Sequence, residues 1–321
     1  MIPTPVNPAT EFVAGDWGTS RLRLFLCAAD GAVLRTAEGP GAAAIPGAHA
    51  ATLEALIDAW RAGAARLPVI LCGMVGSSLG WVEAPYVACP ARPEHIANSC
   101  IGLWNGRAQI IPGLSCRNRF DAPDLMRGEE TQILGALRLE PALESGRWLL
   151  CLPGTHTKWV LLEGGEVREF LTAPSGELFA ILREHSVLLG REEPAGDIAD
   201  TVAFMDGVRA FNAYPGAQLL HRLFECRSRR LSGQLDPPAA AAFLSGLLTA
   251  SDVYGALTSF TTVAANAEIV LIGAQPLTAL YHAALRERGC RSRRIDGAAA
   301  SLAGLIHVHL QLASRSNAHA G

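Results

Sequence analysis

Two stretches of this chain follow one plan, and that repetition constrains the fold more than any other feature. Near the N-terminus, Glu11-Phe-Val-Ala-Gly15 reads as a short strand, Asp16-Trp-Gly-Thr-Ser20 as a turn, and Arg21-Leu-Arg-Leu-Phe-Leu26 as a partly buried strand. Asp30-Gly31 turns again, and Ala32-Val-Leu-Arg35 returns as a third strand. Midway along, Arg147-Trp-Leu-Leu-Cys-Leu152 is a strand, Pro153-Gly-Thr-His-Thr-Lys158 a turn and Trp159-Val-Leu-Leu162 a second strand. Gly164-Gly165 then turns into Glu166-Val-Arg-Glu-Phe170. Aligning Gly18-Thr19 with Gly154-Thr155 gives strand, Gly-Thr turn, strand, glycine turn, strand, twice over. The pattern predicts an internal duplication, each copy opening about half the chain.

The remaining segments read as α/β. Ala51 to Ala65 has helical spacing, with Leu53, Leu56, Ile57 and Trp60 on one face. Leu67 to Cys72 is a buried strand running into the glycine-rich Gly73-Met-Val-Gly-Ser-Ser-Leu-Gly80. Ala108 to Ile111 and Pro112-Gly113 precede an expected polar loop, after which Met126 to Leu137 enters a helix. In the second half, Ala239 to Ser251 is helical and Glu268 to Ile272 is a buried strand. Gly273-Ala-Gln-Pro276 then leads into a helix with Leu277, Leu280, Tyr281 and Leu285 at helical spacing. Ala298 to Ala313 reads as a terminal helix that can return toward the first domain.

Composition narrows the function. The chain has 321 residues, half of them hydrophobic and 18% charged, enough for a substantial core and a prior of two domains. Lys plus Arg is 27 against 30 for Asp plus Glu, which argues against a general nucleic-acid binder. No uncharged apolar run reaches the ~18 residues of a membrane span. The start, Met1-Ile-Pro-Thr-Pro-Val-Asn-Pro8, lacks the basic and apolar regions of a signal peptide. The eight cysteines form no C-x-x-C pair, so zinc ribbons and thioredoxin motifs are excluded. They read as small core residues in a reducing, cytoplasmic compartment.

No P-loop and no strand-linked G-x-G-x-x-G occur. Gly76-Ser-Ser-Leu-Gly80 fits the nucleophile elbow literally, but an elbow needs a helix straight after its serine. Trp81-Val-Glu-Ala-Pro85 is a poor helix start, so Ser78 is not read as a nucleophile. The Gly-Thr turns offer better chemistry. Tight turns expose backbone N–H groups, and glycine lets a phosphate approach them. Thr19, Ser20, Thr155 and Thr157 add hydroxyls. Arginine occurs 26 times and lysine once, at Lys158, where a compact charge suits a β- or γ-phosphate. Asp16 can hold Mg²⁺ through water. Two ordinary hairpins would explain the glycines but not these polar groups gathered at both.

These residues carry a resemblance. Asp16-Trp-Gly-Thr-Ser20 and Leu152-Pro-Gly-Thr-His-Thr-Lys158 resemble the two phosphate loops of the superfamily of actin, sugar kinases and heat-shock ATPases. More narrowly, Cys72-Gly-Met-Val-Gly-Ser77, Gly80-Trp81, Ala84-Pro-Tyr86, Ile111-Pro-Gly-Leu114 and Met126-Arg-Gly-Glu-Glu-Thr-Gln132 are similar to the 2-dehydro-3-deoxygalactonokinase family. Phe243-Leu-Ser-Gly-Leu-Leu248 and the Gly273 turn continue the likeness, which runs from about residue 12 onward. Gly273-Ala-Gln275 departs from the glycine-rich adenosine loop common in the superfamily.

The resemblance implies two ribonuclease-H-like domains, 1–139 and 146–321, with a cleft between them. It implies ATP-dependent phosphorylation of 2-dehydro-3-deoxy-D-galactonate at its 6-hydroxyl. ATP contacts would come from Gly18, Thr19, Ser20, Arg21, Gly154, Thr155, His156, Thr157, Lys158, Gly273 and Ala274, with Asp16 organising Mg²⁺. Sugar-acid contacts would come from Gly73, Met74, Val75, Gly76 and Trp81, with Arg127 on the carboxylate. Glu130, before Thr131, takes the place of the superfamily's catalytic aspartate, and Glu129 or Asp124 are alternatives. A homo-oligomer is compatible with the sequence. The competing readings are a kinase for another sugar or sugar acid, and a non-catalytic nucleotide sensor on the same fold.

Overall fold

The structure, a computed structural model, describes residues 11–60, 67–190, 201–215, 218–264 and 268–318. They divide into two compact units. One takes in the described residues up to Gly146, Leu162–Glu169 and the segment from Gly297 onward; the other comprises Arg147–Leu161 and Phe170–Asp296.

The first unit opens with β1 (Phe12–Trp17), β2 (Arg21–Cys27) and β3 (Val33–Pro40), an antiparallel meander in which Asp16 lies opposite Arg23. Next come α1 (His49–Ile57), which tightens into a 3₁₀ turn at Asp58–Trp60, and β4 (Val69–Cys72). β4 pairs parallel with β1, aligning Cys72 with Asp16. β5 (Tyr86–Ala88), α2 (Pro93–Asn98), β6 (Ile101–Leu103), β7 (Ala108–Ile110), β8 (Gly113–Arg117), β9 (Pro123–Met126) and α3 (Glu129–Leu139) follow. The main sheet runs β3-β2-β1-β4-β7-β6, and β5-β8-β9 form a small second sheet.

The second copy of the plan begins with β10 (Arg147–Leu152), β11 (Thr157–Glu163) and β12 (Glu166–Ala173). The described residues then form the helices α4 (Ser175–His185), α5 (Thr201–Ala213), α6 (Leu219–Leu231), α7 (Pro237–Ser259) and α8 (Thr261–Ala264). β13 (Ile269–Gly273), α9 (Gln275–Glu287), β14 (Ser292–Asp296) and α10 (Gly297–Ala318) complete the described chain. The sheet order is β12-β11-β10-β13-β14, with β13 parallel to β10 as β4 is to β1. Both sheets therefore have the ribonuclease-H-like order, and the duplication read from the Gly-Thr turns is a duplication of strand topology.

Each unit has its own core. Val13, Trp17, Leu22, Leu24, Leu53, Ile57, Val69 and Leu71 are buried together in the first. Leu149, Cys151, Trp159, Phe204, Phe243, Leu247 and Leu285 belong to the second. Burying one such large apolar side chain contributes ~1.5–3 kcal/mol. Paired glycines bring helix backbones together in both units. A Cβ at Gly135 of α3 would meet the Ala300 carbonyl of α10, and one at Gly304 the Thr131 carbonyl. Between α5 and α7, Gly207 and Gly246 stand in the same relation to the carbonyls of Phe243 and Phe204. α7 is long and apolar enough to cross a membrane by length and composition, yet most of it is buried as the core helix of its unit. Its start is set by Pro237 and Pro238 and by Asp236, whose side chain accepts from the Ala239 N–H at 2.8 Å.

Several local expectations need correction. The polar loop after Gly113 is the β8–β9 hairpin. Its alternation is inverted, with Asp124 8% exposed and Leu125 49% exposed, so hydrophobicity alone gives no strand signal there. The helix expected from Ala51 to Ala65 starts at His49 and ends its α-helical turns at Ile57, while residues 61–66 lie outside the described part. Thr157 and Lys158 belong to β11 rather than to the turn before it. On α9, Leu277 is exposed, whereas Tyr281 and Leu285 are buried.

Candidate active site

In parallel α/β sheets, ligands collect beyond the carboxyl ends of the strands. In the first unit those ends are Asp16-Trp17 on β1 and Cys72-Gly73 on β4. Gly73 has a φ of +91°, and a Cβ there would lie 2.8 Å from the Trp17 carbonyl and 3.5 Å from Asp16 Oδ1. Gly128, with a φ of +106°, comes equally near: its Cβ would sit 3.5 Å from Gly73 Cα. These close approaches hold the start of α3 beside the ends of β1 and β4, and with it Glu129 and Glu130. Asp16 forms an ion pair with Arg23 through Oδ2.

Glu130 is 0% exposed. Its carboxylate accepts from the Gly128 N–H at 2.7 Å and from the Thr131 hydroxyl at 3.0 Å. Burial, then the neighbouring Glu129 charge, push its pKa up to about 8 against these hydrogen bonds. Glu129 is only partly buried and accepts from the Arg127 N–H at 3.1 Å. Asp124 accepts from the Leu125 N–H and from Asn118 Nδ2, which ties it into the β8–β9 hairpin. The Cys72 thiol is held well above its ordinary pKa by burial first, then by the charges of Asp16 and Glu130.

Arg127 donates through Nη2 to the Ala84 carbonyl at 2.6 Å, and its guanidinium lies 4.3 Å from the centre of the Tyr86 ring. Its Nε and Nη1 are buried without a hydrogen-bond acceptor. The loop after β4 wraps this residue, since a Cβ at Gly76 would come 3.1 Å from Arg127 Nη1. Met74 and Val75 form the short turn between Gly73 and Gly76, and Trp81 donates its N–H back to the Val75 carbonyl at 2.8 Å. The Trp81 ring stacks on His49 and meets Trp104 edge-on. The chain directly after Ser78 is not helical, as a nucleophile elbow would require.

The β1–β2 turn exposes Thr19 and Ser20, while Gly18 closes it by donating to the Arg21 carbonyl at 2.9 Å. Arg21 itself is exposed and paired with Glu38.

The second unit repeats the backbone and changes the chemistry. Gly154, Thr155 and His156 form the turn between β10 and β11, packed on the first turn of α4. The Glu177 N–H donates to the Thr155 carbonyl at 2.9 Å, and His156 Nε2 lies 2.9 Å from Glu177 Oε2. Gly273 ends β13 beside this turn, where a Cβ would be 3.5 Å from the Pro153 carbonyl, and Ala274 after it is exposed. The Thr157 hydroxyl is not offered at the turn. It is buried, 2.8 Å from Ser175 Oγ and 2.9 Å from Tyr281 Oη. Lys158 leaves the strand on the opposite face, 5% exposed, and donates to Thr172 Oγ1 at 2.9 Å.

Next to Gly154 a pocket of about 420 Å³ opens between α4, α7 and α9. Phe179, Leu248 and Leu280 give it an apolar lining, Ser245, Thr249 and Tyr281 contribute hydroxyls, and Arg183 contributes a positive charge. An apolar cavity with a few convergent polar groups is the usual form of a small-molecule site. Ser245 lies in the Phe243–Leu248 segment of the family likeness, whereas Asp252, Ser175 and Thr249 carry no motif that marks them in the sequence. A signal for Asp252 does exist: it is the one charged residue in α7.

The duplicated sheets, with a Gly-Thr turn at the matching strand ends of each unit, define a phosphotransferase-type fold of the actin and sugar-kinase superfamily. The activator of 2-hydroxyisocaproyl-CoA dehydratase from Clostridium difficile, solved with bound ADPNP, shares this fold at 12% identity and a TM-score of 0.51, covering 96% of this chain and 97% of that one. The sequence profile of the 2-keto-3-deoxy-galactonokinase family matches residues 16–308. The chain belongs to that family. It is 34% identical over 299 residues to the 2-dehydro-3-deoxygalactonokinase of Escherichia coli (strain K12), covering 93% of this chain and 97% of the relative. A Rhizobium meliloti (strain 1021) protein that carries the name "Probable 2-dehydro-3-deoxygalactonokinase" is 39% identical over 306 residues, covering 94% and 97%. A crystal structure described as that of "a putative 2-dehydro-3-deoxygalactonokinase protein from Sinorhizobium meliloti" superposes with a TM-score of 0.82 at 36% identity, covering 92% of this chain and 97% of that one.

Proposed function

We propose that this protein transfers the terminal phosphoryl group of ATP to the 6-hydroxyl of 2-dehydro-3-deoxy-D-galactonate. Family membership supports the reaction, and one observation carries the substrate class: part-buried Arg127 holds its buried Nε and Nη1 without acceptors beside the sugar-side loop. An unsatisfied buried donor costs ~1–3 kcal/mol, and a carboxylate is the partner that a guanidinium fits bidentately. A neutral sugar offers no such partner, and a nucleotide sensor needs none.

In this reading Gly73, Met74, Val75, Gly76 and Trp81 shape the sugar-acid site around Arg127. Glu130 accepts the hydroxyl proton, with Glu129 as the alternative; its burial at the start of α3 raises its proton affinity above that of an ordinary carboxylate. The nucleotide occupies the second unit, its base in the pocket beside Gly154 and its phosphates along Gly154, Thr155 and Lys158. Within the first unit, the exposed Thr19 and Ser20 of the β1–β2 turn are offered to phosphate, with Gly18 holding that turn closed.

The residues at Asp16 fit a hydrated Mg²⁺. Oδ1 is not committed to Arg23, two hydroxyls stand in the adjacent turn, and this ion commonly takes one or two carboxylates plus water and phosphate. When bound, Mg²⁺ supplies charge neutralisation on the phosphates. The remaining work belongs to the chain: Arg127 orients the acid, and Glu130 moves the proton. All eight cysteines are unpaired, in keeping with a reducing, cytoplasmic setting.

A coupled ADP-release assay over a panel of sugar acids and neutral sugars tests the reading. The expected result is turnover with 2-dehydro-3-deoxy-D-galactonate and little with neutral hexoses. Equal turnover with neutral sugars would refute the carboxylate role of Arg127.

A further inference from the structure

Asp252 gathers a polar network inside an otherwise apolar helix. Its Oδ1 accepts from Trp159 Nε1 at 2.8 Å, and its Oδ2 accepts from Ser175 Oγ at 3.1 Å and from the Tyr281 hydroxyl. Ser175 and Tyr281 are 3.0 Å apart, both line the pocket, and both lie within 2.9 Å of the Thr157 hydroxyl. Thr157 directly follows the Gly154–His156 turn.

The indole N–H and the hydroxyls of Ser175 and Tyr281 converge on the two Asp252 oxygens, and the Thr157 hydroxyl joins Ser175 and Tyr281 from the far side. Donors gathered on a carboxylate favour its ionised form.

We propose that Asp252 is a positioning residue for nucleotide binding: as an anion it fixes Ser175 and Tyr281 in the pocket wall and, through them, Thr157 at the root of the second Gly-Thr turn. The proposal rests on the nucleotide occupying the second unit. Burial pushes the carboxyl up to about 6, opposed by its hydrogen bonds, so the network loses its organising charge as pH falls through about 6. The titratable groups facing it are Tyr281 and Cys151, both held well above their ordinary values by burial and therefore neutral throughout that range.

Four proteins are compared: wild type, Asp252→Asn, Tyr281→Phe and Ala279→Trp. The readouts are the Kd of a non-hydrolysable ATP analogue by calorimetry, KM for ATP and for the sugar acid, and the thermal midpoint. Asp252→Asn and Tyr281→Phe should each weaken the analogue and raise KM for ATP by roughly tenfold, leaving KM for the sugar acid unchanged. The gap between wild type and Asp252→Asn should narrow below pH ~6, a comparison in which titration of the nucleotide's own phosphates cancels. Tyr281→Phe keeps the ring and decides the matter if Asp252→Asn does not fold. Wild-type analogue affinity in Tyr281→Phe, or a lowered thermal midpoint with unchanged KM for ATP, would overturn the proposal. Ala279→Trp fills the pocket and should abolish analogue binding. Undiminished binding in that variant would instead overturn the placement of the nucleotide, a separate failure.

Discussion

The two Gly-Thr turns share a backbone plan and differ in almost everything that touches chemistry. At the end of β1 the groups are charged: Asp16 with Arg23, Glu129 and Glu130 at the start of α3, and Arg127 with donors to spare. Near the end of β10 the buried carboxylate, Asp252, is withdrawn behind a shell of neutral hydroxyls, and an apolar pocket opens beside it. Duplication supplies two sheets that each carry a Gly-Thr turn at a matching strand end. The segments packed behind each turn then set its task. In the first unit they are a loop and a helix start carrying acids, and in the second a largely apolar helix layer with a pocket between α4, α7 and α9.

The sharpest way to break this division is to remove a charge from the first unit. Glu130→Gln should lower kcat ~10²–10⁴-fold with little unfolding, the usual cost of losing a general base. If Glu130→Gln turns over almost normally while Glu129→Gln or Asp124→Asn does not, the base lies elsewhere. Asp16→Asn keeps the geometry at β1 and removes the charge. Its activity should collapse at ordinary Mg²⁺ and recover in part as Mg²⁺ is raised in a titration. Full activity at ordinary Mg²⁺ would leave Asp16 as the partner of Arg23 alone.

A pair of substitutions, one per unit, separates the two tasks. Arg127→Met should raise KM for the sugar acid roughly 10- to 100-fold, the equivalent of ~1.5–3 kcal/mol for a charge-assisted pair, with KM for ATP little changed. Lys158→Ala should do the reverse. Steady-state kinetics with each substrate varied would show the crossing pattern, and a shared effect on both constants would erase the distinction. The smallest expected effect is purely structural. Asp236→Ala removes the N-cap of α7 and should cost about 1 kcal/mol by denaturant unfolding without a kinetic signature.

How much of this is legible in the sequence varies with the kind of signal. The duplication is readable because glycine turns and strand runs are local, and β1, β2, β10 and β11 lie close to where their residues place them. The β8–β9 hairpin is not, because there Asp124 faces inward and Leu125 faces out, in exchange for hydrogen bonds from Asn118 and the Leu125 backbone. Motifs mark Asp16, Glu130 and Arg127. Their nearness depends on Gly73 and Gly128 meeting across a long sequence gap, which no local pattern encodes. Thr157 resembles a phosphate ligand because it comes directly after a Gly-Thr turn. Strand alternation turns its hydroxyl inward, toward Ser175 and Tyr281. Their bonds to Asp252 join residues from α4, α7 and α9, so the network is a product of tertiary packing.

The central claim is a phosphate ester at one defined position of a sugar acid, and ³¹P NMR of the reaction observes that ester directly. With ATP, Mg²⁺ and 2-dehydro-3-deoxy-D-galactonate, the γ-phosphate resonance should disappear as a phosphomonoester signal grows. That signal should be split by the two protons of the C6 methylene. A monoester coupled to a single carbinol proton, or γ-phosphate released only as inorganic phosphate, would contradict it.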